Sequence, residues 1–424
     1  MTSAIDRHLA DAKRARGIGR ADQARRHFEA VLAIDPNHAF ANNALGLEAL
    51  NANDGERAAD HFSRATAADP SAEALWMNLA KAQRQRSDDA AERAALEQVL
   101  SIDQTHPMAL IRLAELHERR GEIALATDRW SAFEMLSRSF PQPTPELAAV
   151  IAHAKQFLSR QRAQLSAALD SALAGPLAVA SARDRRRFQA ANDFMLGRRS
   201  IYANECHGYY YPFLPADEYF DREHFPWLAE LEAQTDIIRE ELVAILAADR
   251  PGLSPYVAMD PGTPRNTWTD LDHSLDWSAL HLWRDGERVE EACARAPRTA
   301  ALVEMLPMAR IPGRAPTVFF SILKAGAHIP PHTGVTNTRT IIHLPLIVPG
   351  NCEFRVGGET RAWREGEAIA FDDTIEHEAW NRSDRDRAVL IFDVWNPYLS
   401  HTEQALIAQS FAVADAQRGG QRGR

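Results

Sequence analysis

Leu45-Gly46, Phe62 and Asp69-Pro70 mark one cycle of a pattern that returns every 34 residues. The step carries Leu45 to Leu79 and Leu113, Gly46 to Ala80 and Ala114, and Asp35 to Asp69 and Asp103. It also links Phe28, Phe62, Leu96 and Trp130. Each cycle reads as a helix–turn–helix. The small residue lets paired helices approach closely, and the large apolar residue fills the space between neighbours. Pro36 and Pro70 close the first two cycles, because proline cannot continue a helix and disfavours helical backbone before it. Four units, 5–38, 39–72, 73–106 and 107–140, are expected to stack into a solenoid with one concave face.

A period of 34 with this pattern resembles the tetratricopeptide repeat. Such a solenoid implies a surface for a peptide or protein and does no chemistry itself. Pro141-Gln-Pro-Thr-Pro145 breaks the pattern, and Glu146 to about Ala174 reads as a further helix. The run Ala182-Arg-Asp-Arg-Arg-Arg-Phe188 is read as a solvated helix face, with a contact for an acidic partner as the alternative.

Composition narrows the possible functions. The 424 residues are 45% hydrophobic and 25% charged, which is ordinary for a globular protein of two or three domains. A net charge of −10 argues against a general nucleic-acid binder. No apolar run is long enough to span a membrane, and Met1-Thr-Ser-Ala-Ile-Asp-Arg7 does not read as a secretory signal. Cys206, Cys293 and Cys352 offer neither a disulfide framework nor CxxC spacing, so a reducing, cytoplasmic setting is expected.

Beyond residue 200 the period changes. All three cysteines and seven of the nine tryptophans lie there. One helix is expected from Trp227 to Leu246. Short apolar runs follow at 317–323, 340–348, 352–356, 368–371 and 388–395, with Gly357-Gly358 as a hairpin signal. Strands at this spacing suggest an antiparallel sandwich or jelly roll. The whole chain is therefore expected to be α+β and multidomain.

The chemistry sits on those strands. His332-Thr-Gly334 and Glu376-His377 each follow a strand. A facial triad for redox iron needs His-x-Asp/Glu plus a distal His. Here Gly334 stands at the carboxylate position, leaving two protein ligands. Two meanings are open: a dead site, or iron with one more position filled by water.

Several stretches together, in order, are similar to the aspartyl/asparaginyl β-hydroxylase family: Pro330-Pro-His-Thr-Gly-Val-Thr-Asn-Thr-Arg339, His343-Leu-Pro-Leu346, Phe371-Asp-Asp373, Glu376-His-Glu-Ala-Trp-Asn381 and Leu390-Ile-Phe-Asp-Val-Trp-Asn-Pro397. Asp276-Trp277, Glu291-Ala-Cys293 and Pro297-Arg-Thr299 extend the likeness upstream, over about 200–400. The resemblance implies an iron(II)- and 2-oxoglutarate-dependent oxygenase that uses dioxygen on a double-stranded β-helix, a cupin-like jelly roll. In this family two histidines and a glycine take the place of the triad, so Gly334 agrees with it. Its animal members also carry tetratricopeptide repeats ahead of the oxygenase domain.

By the same resemblance His332 and His377 would be the metal ligands and the catalytic centre. Arg387 would fork onto the far carboxylate of 2-oxoglutarate, since guanidinium offers two parallel donors to a planar acceptor. Ser321 would complete that contact, His343 would bond the end near the metal, and Trp277 would line the pocket. Animal members have an arginine where this chain has Ile341. Residues 339, 341 and 343 share a strand face, so Arg339 is the candidate for substrate binding, and an acidic substrate is in question.

For other polar residues the bland reading is taken: His328 in a loop, Asp372-Asp373 shaping a turn or supporting a ligand, Asp393 structural, Cys352 without a partner, Arg355 and Arg364 solvated. The expected domains are a repeat solenoid (1–140), a helical connector (141–199), an oxygenase domain (200–400), and a C-terminal helix with a tail disordered from Ala414 (401–424). Hydroxylation of a side chain in a peptide or protein is the leading reading. A small molecule such as a free amino acid or an acyl chain is the second, and an inactive repeat scaffold the third.

Overall fold

The structure is a computed structural model that describes residues 3–248 and 252–422. It divides into two compact units, residues 1–179 and 180–424. The expected connector is thus split, one helix to each unit. Among the described residues no helix is long and apolar enough to cross a membrane.

The first unit is four helix pairs: α1 (Ala4–Gly17) with α2 (Ala21–Ile34), α3 (Ala39–Asn51) with α4 (Gly55–Ala68), α5 (Glu73–Gln85) with α6 (Asp89–Ile102), and α7 (Pro107–Arg119) with α8 (Ile123–Ser137). The repeat columns do what their residue types dictate. Phe28, Phe62, Leu96 and Trp130 are at most 2% exposed, and Ala80 and Ala114 are buried. A Cβ on Gly46 would stand 2.6 Å from the Phe62 ring, so only glycine permits that approach. Asp54 and Asp88 cap the second helices of their pairs by accepting the Arg57 and Ala91 N–H groups. A ninth helix, α9 (Pro145–Val179), covers the last pair, with Ala154 and Phe157 buried beside Trp130 and Phe133.

The second unit begins with α10 (Ala182–Met195). The helix expected over 227–246 is broken into α11 (Leu228–Glu232) and α12 (Thr235–Leu246), and Thr235 Oγ1 donates to the Glu232 carbonyl at the break. Strands β1 (Ser254–Pro255), β2 (Trp277–Arg284) and β3 (Glu287–Arg288) precede α13 (Glu290–Arg295) and α14 (Pro297–Glu304). Then come β4 (Val318–Leu323), β5 (His328–His332), β6 (Arg339–Ile347), β7 (Cys352–Val356), β8 (Glu359–Ala362), β9 (Ile369–Phe371), β10 (His377–Asn381) and β11 (Arg387–Trp395). The first sheet runs β1-β2-β4-β11-β6-β9 with β3 on β2, and the second runs β5-β10-β7-β8. All pairings are antiparallel.

Both faces of the large sheet are covered, and alternation along each strand sorts the residues. Ala388, Leu390, Phe392 and Val394 of β11 face one core with Phe320, Ile322, Ile342 and Leu344, against α11–α14. Val389 and Ile391 face the other core with Phe319, Leu323 and Ile341, toward the small sheet's Ile329, Phe354 and Ala379. Arg387 and Asp393 have the same parity as Val389 and Ile391, which brings both into the space between the sheets.

Helix α15 (His401–Arg422) ends the described chain. The tail expected to be disordered from Ala414 is therefore helical to 422, and residues 423–424 lie outside the described residues. Alanines at 412, 414 and 416 favour helix, and Arg314 pins this stretch by bonding Asp415 and lying over the Phe411 ring.

Candidate active site

A cavity of about 320 Å³ opens between the inner faces of the two sheets. His332 ends β5 and His377 begins β10. The two are register partners with ring centroids 4.0 Å apart. Each Nδ1–H donates to a backbone carbonyl two residues earlier, His332 to Pro330 at 2.8 Å and His377 to Ile375 at 3.0 Å. That bond sets the tautomer and leaves each Nε2 lone pair free for a metal. Burial lowers both pKa values, that of His377 well below the usual imidazole range. Both rings are therefore neutral near pH 7, the state a metal needs.

Gly334 is explained by its neighbour. A Cβ there would lie 2.1 Å from Asp373 Oδ2, and the Gly334 N–H donates to the Asp373 carbonyl at 2.6 Å. The Asp373 carboxyl thus fills the space that a side chain at 334 would take. Its Oδ1 is buried without a partner, and burial raises its pKa to about 7. Among the described residues, no group of three His, Cys, Asp or Glu side chains is arranged to hold a metal. Asp372 accepts from Thr374 and Asn204 and shapes the turn, as the sequence reading expects.

The deep end of the cavity is built for an anion. Arg387 is 1% exposed, lies 5.0 Å from the Trp363 ring centre, and faces no carboxylate among the described residues. Burial lowers its pKa to about 10, still charged at neutral pH. Its Nε, the Trp363 Nε1 and the His343 Nδ1 are all buried without partners among the described residues. Such orphans are rare in native structures, and a carboxylate at this end would satisfy the Arg387 and Trp363 donors. Ser321 on β4 faces Val389, one inward position along from Arg387, and its hydroxyl accepts from Trp277 Nε1 at 3.1 Å, leaving its own proton to donate.

Arg339 and Asp393 lie at the opposite end. They form an ion pair that lines the cavity, and the Thr317 N–H donates to Asp393 Oδ1 at 2.8 Å. Asp393 is therefore a wall of the site rather than a merely structural residue. Tyr256, Trp268, Phe319, Ile341 and Ile391 supply the apolar lining between.

All seven residues singled out in the sequence, His332, His377, Ser321, His343, Arg387, Trp277 and Arg339, line this one cavity. Sequence reasoning missed Trp363, Tyr256 and Trp268, which no motif marks. It also missed a strap at 204–211. There the Glu205, His207 and Gly208 N–H groups donate to the carbonyls of Thr374, Gly334 and Val335. Three further readings are corrected. Arg355 is not solvated, since it bonds Glu376 and Glu378. His328 opens a strand, stacked on Trp380 and bonded to Glu378. Cys352 has a partner, since its thiol donates to the Pro349 carbonyl at 3.2 Å.

Residues 232–397 match the family model described as aspartyl/asparaginyl β-hydroxylase. The match lies within the second unit. The human aspartyl/asparaginyl β-hydroxylase is 42% identical over 132 residues, 31% of this chain and 17% of that protein. An ornithine lipid ester-linked acyl 2-hydroxylase of Rhizobium tropici is 36% identical over 184 residues, 43% of this chain and 61% of that protein. Aspartate β-hydroxylase domain-containing protein 2 of Xenopus tropicalis is 30% identical over 223 residues, 52% of this chain and 57% of that protein. The chain thus spans less than two thirds of each relative's length. The crystal structure of MamA protein aligns with 41% of this chain and 96% of its own at 18% identity and a TM-score of 0.33. The repeat fold of the first unit rests on its own helix pairing.

Proposed function

We propose that this β-hydroxylase-family domain is an iron(II)- and 2-oxoglutarate-dependent dioxygenase. The observation that carries the reading is the pairing of two neutral, Nε2-free imidazoles with a buried arginine that faces no carboxylate among the described residues. The residues fit both groups: His332 and His377 would hold iron, and Arg387 and Ser321 the far carboxylate of 2-oxoglutarate. Bound iron would supply dioxygen activation coupled to oxidation of 2-oxoglutarate to succinate and carbon dioxide. The chain's part is to hold and exclude. Pro330 and Ile375 fix the imidazole orientation, Arg387 and Ser321 donate to a carboxylate, and Trp268, Trp277 and Phe354 keep water from the reacting face.

The substrate class follows from the chemistry that the relatives' names share. The β-carbon of aspartyl or asparaginyl is adjacent to a side-chain carbonyl carbon, and position 2 of an ester-linked acyl chain is adjacent to the ester carbonyl. We infer the same for this chain: hydroxylation of a carbon next to a carbonyl group. A peptide or protein side chain is the leading substrate, supported by the repeat unit as a binding surface. The apolar wall of Phe319, Ile341 and Ile391 favours an acyl chain as the second reading. The test is succinate release on addition of iron(II) and 2-oxoglutarate without substrate. Release is expected from the native chain and not from His377→Ala; equal release from a metal-free or His377→Ala preparation refutes the reading.

A further inference from the structure

The end of the cavity remote from Arg387 holds a cation that is already compensated. Arg339 Nη1 is bonded to Asp393, and the Arg339 and Asp393 side chains are 16% and 3% exposed. Among the described residues the other N–H groups of Arg339 bond nothing, and the residue lines the cavity. Asp373 is close enough for Arg339 and Asp393 to pull its pKa in opposite directions. Arg387 is six residues from Asp393 on β11, about 20 Å along a strand. Among the described residues Arg339 is thus the one cation lining this end, and Arg284, outside the lining, acts on Tyr256. The register position facing Asp393 is held by Ile341, a hydrocarbon. The loop that brings Trp268 to the cavity points the same way, since 258–276 carries Asp260, Asp270, Asp272 and Asp276 against Arg265 alone among Lys and Arg.

We propose that Arg339 reads the substrate's carbonyl oxygen as a neutral acceptor, from an amide or ester, and that Asp393 is the specificity determinant that excludes a carboxylate. The inference rests on the oxygenase reading above. A carboxylate brought to this end loses its water and meets a cation whose charge is already spent on Asp393, with a second carboxyl beside it. That desolvation is not repaid. A neutral carbonyl gives up far less hydration and still takes the free Arg339 donors, and Asp393 holds the guanidinium plane in place while they are used. Recognition by a buried polar group of fixed charge discriminates more sharply than recognition by an apolar pocket.

Matched probes test this on the full chain with iron(II) and 2-oxoglutarate. One pair is two peptide pools identical except for a fixed central Asn or Asp. The other is a long-chain fatty acid methyl ester and its free acid. The readout is succinate released above the substrate-free rate, with the product mass raised by one oxygen. The neutral member is expected to exceed its acidic partner at least tenfold. In Asp393→Asn, which frees the Arg339 charge, and in Ile341→Arg, which adds a cation, the ratio is expected to fall about tenfold. The ratio is taken within each variant, so a general loss of activity or folding yield cancels. Equal or greater stimulation by the acidic member in the native chain overturns the proposal, and so does an unchanged ratio in both variants. Failure of the oxygenase reading shows separately, as absence of substrate-free succinate release from the native chain.

Discussion

Replacing Arg387 by Met is expected to stabilise the ligand-free domain while abolishing its response to 2-oxoglutarate. Arg387 is fully buried, and desolvation pushes its pKa well below the ordinary guanidinium range, to about 10. At about 1.4 kcal/mol per unit, the charge costs the folded state on the order of 3 kcal/mol. Because both the folded and the unfolded values lie well above 7, the cost is present in full at neutral pH and is relieved only as pH rises through about 10. The cation–π contact with Trp363 offsets roughly 1–2 kcal/mol. Met keeps the volume and loses both terms, so the net gain is about 1–2 kcal/mol, or a melting temperature several degrees higher for a domain of this size. The native protein at a hundredfold excess of 2-oxoglutarate over its dissociation constant should gain about 2.7 kcal/mol. The variant should gain nothing. Thermal melts with and without 2-oxoglutarate read both quantities in one experiment. A destabilised ligand-free variant, or a ligand-induced shift that survives the substitution, refutes the reasoning.

Three further outcomes follow from the same geometry. Gly334→Ala should destabilise the domain by more than 2 kcal/mol through the Asp373 clash, and the same change in an Asp373→Gly background should cost under about 1 kcal/mol; calorimetry of the four proteins measures the coupling. In the metal-free protein the Asp373 carboxyl is raised to about 7, so its folded form binds more protons than its unfolded form between about pH 4 and 7. Its contribution must therefore fall as pH rises through that window. Urea titrations should show the stability of Asp373→Asn gaining on the native protein from pH 4 to 7, and a constant difference would contradict this. His332→Ala and His377→Ala should each weaken cobalt(II) binding at least tenfold, read from the visible absorption of the metal.

The pH behaviour of the imidazoles runs against that of Asp373. Burial holds His332, His343 and His377 neutral in the fold, while unfolded imidazoles take up protons below about 6.5. Those three therefore withdraw stability as pH falls below 6.5. The Asp373 contribution is visible only as a difference between proteins, which is why the comparison with Asn is needed.

Much of the architecture was legible because it depends on periodicity. A 34-residue step can be read from Leu45, Gly46 and Phe62 without coordinates, since each repeat buries its apolar columns only against its neighbours. Strands β4, β6 and β11 were legible as apolar runs, but both of their faces are buried, so the inward placing of Ser321, His343 and Arg387 rested on the family resemblance and not on alternation. The break in the 227–246 helix was not, because the apolar residues on either side of it keep a helical spacing. The depth of the ionic network around Arg355 was hidden too, since Glu376 and Glu378 reach it from another strand.

The sequence by itself supplied the residues on which the proposed chemistry rests: two histidines, a glycine between sheet and loop, and an arginine placed at the start of the last strand. Those are properties of residue type and order, and they survive any detail of packing. Only the tertiary structure decided what each charge means. It placed the Asp373 carboxyl in the space left by Gly334, set a carboxylate against Arg339 and, among the described residues, set none against Arg387. An arginine in a sequence is always a cation. Whether it is an empty socket for an acid or a compensated donor depends on what the fold sets within a few ångströms of it, since both desolvation and pairing act at that range.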